Sequence, residues 1–157
     1  MKEKRISFCQ GNGSLECNNC EDSLRNVDRS RIENNITFIR QDLGKVYSFL
    51  FDESTELYNA KQKRNSRKIH GSYFEHQFHQ KPSTFVIASR DRRKNFYEDI
   101  VQIGNKDDSG IDSEDFDLVA ECLKEYMQGF QEHNPNFYVF DAVPHLDQTK
   151  PPPHIEY

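Results

Sequence analysis

The stretch Phe137–Tyr157, FYVFDAVPHLDQTKPPPHIEY, decides how this chain is built. FYVFDAV, from Phe137 to Val143, is rich in aromatic and β-branched residues and reads as a strand; HIEY reads as a short closing strand. If Leu146 to Pro153 turns the chain back, the two pair as a hairpin. Alternation then sets Phe137, Val139, Asp141, Val143 and His145 on one side of the first strand. On the second strand His154 and Glu156 share a side. His145 and His154 can thus face each other, with Asp147 close enough to ligate a metal or orient a ring. Two histidines are a weak signal, and an incidental polar turn accounts for them as well.

Working outward, NPN (Asn134–Asn136) stops a helix that begins near Ser113, with Asp112 or Ser113 as its N-cap. Phe116, Val119, Ala120, Leu123, Met127 and Phe130 form its buried stripe, and its first turn is acidic, as the helix dipole prefers. FYEDIVQIG (Phe96–Gly104) reads as a strand, and TFVIA is a weaker candidate. HGSYFEHQFHQ (His70–Gln80) fits a short half-buried helix. His76 and His79 within it could hold a metal, but surface histidines are the simpler account. Asp42 caps a helix running to about Arg64, whose stripe is Leu43, Val46, Tyr47, Leu50, Leu57 and Tyr58. NNITFIRQ (Asn34–Gln41) and RISFC (Arg5–Cys9) read as strands, joined by about 20 residues of loop. The expectation is one domain spanning residues 1–157. It is an α+β fold: a mainly antiparallel sheet of about five strands, with two long helices packed on one face.

Composition allows this. At 157 residues, 34% hydrophobic and 30% charged, the chain can bury a core. No apolar run is long enough for a membrane span. MKEKRISFCQGNGS lacks the apolar segment of a secretory signal, so a cytoplasmic location is expected. Cys9, Cys17, Cys20 and Cys122 are too scattered for a disulfide framework. Cys17 and Cys20 make half of a zinc site at most, so a small zinc-holding interaction module is the remote reading.

The net charge of −5 conceals segregation. KQKRNSRK gathers Lys61, Lys63, Arg64, Arg67 and Lys68, and RDRRK gathers Arg90, Arg92, Arg93 and Lys94. Acids crowd between Asp107 and Glu125. A local cationic groove for nucleic acid and a set of solvated helix ends fit equally well on charge alone.

Several longer phrases carry a resemblance: RISFCQGNGSLECNNCE, RNVDRSRIENNITFIRQD, LFDESTELYNAKQKRNSRKI, VQIGNKDD and NPNFYVFDAVPHLDQTKPPPHIEY. Over nearly its whole length the chain resembles the N-terminal catalytic region of plasmid mobilization and recombination proteins, the Mob/Pre relaxases of the MobV type. The resemblance implies an antiparallel sheet presenting a histidine-bound divalent metal, manganese or magnesium. It also implies single-stranded DNA at a plasmid origin as partner, and strand nicking with covalent attachment to the 5′ phosphate. Basic side chains, here Lys61, Lys63, Arg64, Arg67 and Lys68, would hold the strand.

Carried over by position, the family's metal motif H-x-D-E-x-x-P-H-x-H is met at His145, Asp147, Pro151 and His154. Gln148 stands for its glutamate and Pro152 for its middle histidine. The family's early H-N-x-R, source of the nucleophilic histidine, falls on Cys17, Asn18, Asn19 and Cys20. A Cys17 thiol, with an ordinary pKa of about 8.5 and no neighbouring arginine, is a poor substitute. Tyr47 and Tyr58 lie on an apolar stripe and are better explained by packing. The chain also stops at Tyr157, so it looks like a truncated relative. The expectation is a relaxase-like DNA-binding protein that nicks weakly or not at all, with an active nicking relaxase as the alternative.

Overall fold

A computed structural model describes residues 4–11, 13, 15, 38–90, 92–110, 112–144 and 153–157. Its elements follow in order: β1 (Ile6–Gln10), β2 (Ile39–Arg40), α1 (Leu43–Lys61), α2 (Tyr73–Phe78), β3 (Glu98–Ile103), α3 (Lys106–Ser109), α4 (Phe116–His133), β4 (Asp141–Pro144) and β5 (Pro153–Glu156). The strands form one sheet in the order β1-β3-β5-β4-β2. Each pairing is antiparallel. The fold is α+β, and the closing strand occupies the middle of the sheet. No helix among the described residues is long and apolar enough to cross a membrane.

The expected hairpin is present as β4 and β5, with Val143 opposite His154 and Asp141 opposite Glu156. Among the described residues its last pair is Pro144 and Pro153, neither of which has an N–H to donate. The strand expected from Phe137 begins only at Asp141. Upstream, a side chain of α4 takes the bonds a strand partner would take. Gln131 Nε2 donates to Phe137 O at 2.6 Å, and Val139 N donates to Gln131 Oε1 at 3.1 Å. TFVIA forms no strand; it holds isolated bridge residues at Phe85 and Ala88, the latter paired with Lys94. There Asn95, 4% exposed, bonds Ile87 N and Phe85 O and holds the segment by its side chain.

Two apolar clusters hold the elements. In the first, Val119, Leu123, Met127 and Phe130 of α4 pack on Val101, Ala142 and Ile155, so α4 covers one sheet face. The second joins Leu43 and Val46 of α1, Phe74 and Phe78 of α2, and Leu15, Phe96 and Phe140. The stripe expected on α4 is buried from Val119 onward, but its cap lies later, at Asp115. Ser113 bonds Asp108 O instead. On α1, Asp42 caps as expected, accepting from Lys45 N at 3.0 Å. Only the first turns of its stripe are buried. Leu50, Leu57 and Tyr58 are 39%, 57% and 44% exposed, because α2, the helix it packs against, is a single short helix of six residues. Packing therefore does not account for Tyr58.

Candidate metal centre

The sheet face opposite α4 carries an unusual set of side chains. Alternation along β5 sends Ile155 into the core and turns His154 and Glu156 to the other side. Register places Glu98 and Asp141 beside Glu156, one on each neighbouring strand. Glu98, Asp141 and Glu156 are 4%, 2% and 0% exposed. Carboxylates are almost never buried so fully unless charge or hydrogen bonds compensate them.

Part of that compensation is visible. His154 Nδ1 lies 2.7 Å from Glu98 Oε1, a diagonal approach between β5 and β3. Gly13 N donates to Glu98 Oε2 at 2.7 Å. The chain reaches this carboxylate because Gly11 and Gly13 follow β1. A Cβ on Gly11 would fall 1.7 Å from Glu98 Oε2, and Gly13 takes φ +60. This contact fixes the orientation of the imidazole ring.

Glu98, His154 and Glu156 each offer one ligand atom, and these atoms all lie within 4.8 Å of one another. Two carboxylates and one imidazole, largely shielded from water, are a donor set that fits a divalent cation. A cation there would also offset the mutual repulsion of the carboxylates.

The expected site residues are distributed differently. His154 belongs to the cluster, while His145, Asp147 and Cys17 lie outside the described residues. Across from His154 stand Val143 and Ile100. Glu98 and Glu156 were missed as ligands, although the shared side of His154 and Glu156 was legible from alternation. The signal for Asp141 was an acid inside an otherwise apolar run, whereas Glu98, followed by Asp99, gave none.

The cations of KQKRNSRK do converge. Lys61, Lys63, Arg64 and Arg67 line one open pocket of about 310 Å³, and Lys68 lies just outside it. Asn59 closes the loop with two bonds to Ile69, from Nδ2 to O at 2.9 Å and from N to Oδ1 at 2.8 Å. In RDRRK, Arg92 N donates to Ser89 O, Ser89 N donates to Arg93 O, and Lys94 sits 5.3 Å from the Tyr97 ring centroid. His76 lies within α2, but His79 is its left-handed C-cap, so the two do not share a helix face.

No protein-family model, no curated protein and no solved structure matches this chain.

Proposed function

We propose that this chain is a relaxase-like protein of the plasmid mobilization and recombination kind, acting in the cytoplasm. It binds single-stranded origin DNA and holds a divalent metal, manganese or magnesium, with little or no strand cleavage. One observation carries the reading: Glu98, His154 and Glu156 meet on the side of the central strands away from α4, with ligand atoms within 4.8 Å. The mixed oxygen and nitrogen donors favour manganese over magnesium, which prefers oxygen and keeps its waters.

His154, the last imidazole of the family motif as carried over by position, is the cluster member that the resemblance supplies. Glu98 and Glu156 lie outside that motif and complete the donor set. When bound, the ion would supply charge neutralisation at a phosphate oxygen. His154 is oriented for that role by Glu98. Lys61, Lys63, Arg64 and Arg67 supply phosphate contacts on an otherwise acidic molecule. Tyr47 is a poor nucleophile: burial, and then Tyr73 beside it, push its phenol up to about 12.

The test is incubation with a labelled single-stranded origin oligonucleotide and manganese, read on native and denaturing gels. The expected result is salt-sensitive retention without a covalent adduct. An adduct would establish the active nicking alternative, and no retention at low salt would overturn the reading.

A further inference from the structure

The row of side chains that ends at Glu98 does not stop at Asp141. In register, Arg40 on β2 lies opposite Asp141, Asp141 opposite Glu156, and Glu156 opposite Glu98. Directly opposed residues of antiparallel strands project to the same face, so Arg40 stands on the face of the metal cluster. Two strand spacings separate it from Glu156, roughly 10 Å between backbones.

Arg40 also lines a pocket of about 360 Å³ with Lys45, Phe49 and Tyr138, a volume in the range of small-molecule sites. Arg40 and Lys45 are exposed, and Phe49 is 74% exposed on the first turns of α1. The Phe49 and Tyr138 ring centroids are 5.8 Å apart and their planes are inclined at 41°. A ring inserted between them would need about 7 Å, twice the usual carbon–carbon approach, so the outer face of Phe49 is the platform. Tyr138 is steadied by its hydroxyl, which donates to Gln41 Oε1 at 3.1 Å. Asp42 borders the pocket too, but its carboxylate caps α1 at Lys45 N. An exposed aromatic face beside two cations is the pairing that binds one nucleotide of a single strand: ring on base, cations on phosphate.

The geometry points to a nucleotide subsite at Arg40, Lys45, Phe49 and Tyr138, which holds one nucleotide of a bound single strand. It rests on the single-stranded DNA reading above. The base stacks on Phe49 without hydrogen-bond selection, so the subsite tolerates any base. Arg40 and Lys45 take the flanking phosphate.

The experiment uses the full chain and a twelve-residue thymidine oligonucleotide with scattered 4-thiothymidine, photocrosslinked and mapped by mass spectrometry. Affinity is measured in parallel over a salt series. Crosslinks are expected on the peptides containing Phe49 or Tyr138. Phe49→Ala should weaken binding about 5-fold or more, with an unchanged salt slope, because it removes stacking and no charge. Lys45→Ala should flatten the log–log slope by about 0.7. Both side chains are exposed, so unchanged circular dichroism and melting are expected of the variants. Retention with crosslinks confined to residues 61–68, and no effect of Phe49→Ala, would overturn the subsite and leave the DNA reading standing. No retention of the oligonucleotide by the wild-type chain would overturn both.

Discussion

Glu98 and His154 depend on each other. The carboxylate is 4% exposed, lies 2.7 Å from the imidazole and accepts from Gly13 N, so removing either contact takes away part of what compensates it. A divalent ion that binds only the folded cluster stabilises it by mass action, about 2.7 kcal/mol at a hundredfold excess over Kd. Calorimetric melting should therefore show a rise in Tm when manganese is added to the wild-type chain. His154→Ala should abolish that rise; an equal rise in the variant would place the ion elsewhere. Tyr47 offers a second residue-scale expectation. Its phenol donates to Asn95 O at 2.8 Å and is pushed up to about 12 by burial and then by Tyr73. The unfolded phenol ionises near 10, so the unfolded state releases its proton first as pH rises. The stability owed to this group is complete below pH 10 and is lost between 10 and about 12. Urea titrations across that window should show a decline that Tyr47→Phe lessens.

At the scale of elements, the same helical periodicity had two outcomes. Leu123 on α4 is 0% exposed against the sheet, and Leu123→Ala should cost about 2–5 kcal/mol. Leu57 on α1 is 57% exposed, and Leu57→Ala should stay within about 0.5 kcal/mol. Urea midpoints separate the two cases. A period of 3.6 announces that a helix has an apolar side, and it does not announce how long the partner is. For α4 the partner is a sheet; for α1 it is chiefly the single short helix α2. Boundaries were lost for a similar reason. Gln131 and Asn95 bond main-chain groups that ladders would otherwise take, and amides acting from a helix or loop leave no periodic trace. The site was half legible. Strand alternation paired His154 with Glu156, but Glu98 reaches them from a strand more than fifty residues earlier, through a sheet order that local patterns do not encode.

At the scale of the whole molecule, charge is the feature that separates binding from folding. The chain carries −5, so long-range electrostatics oppose a polyanion, yet Lys61, Lys63, Arg64 and Arg67 surround one pocket on a loop tied by Asn59 to Ile69. At a Debye length of about 8 Å in physiological salt, a phosphate in that pocket senses chiefly the cations that line it. Counterion release then makes the affinity fall with salt, with a log–log slope of about 0.7 per phosphate neutralised on a single strand. Replacing the four cations with glutamine should flatten the slope by about 0.7 for each phosphate no longer neutralised, while the manganese-induced rise in Tm persists because the metal cluster is on the sheet. Fluorescence anisotropy of a labelled oligonucleotide between about 50 and 200 mM salt measures the slope. An unchanged slope in the variant would remove this loop from the DNA-binding surface and leave the pocket of Arg40 and Lys45 as the cationic surface to test.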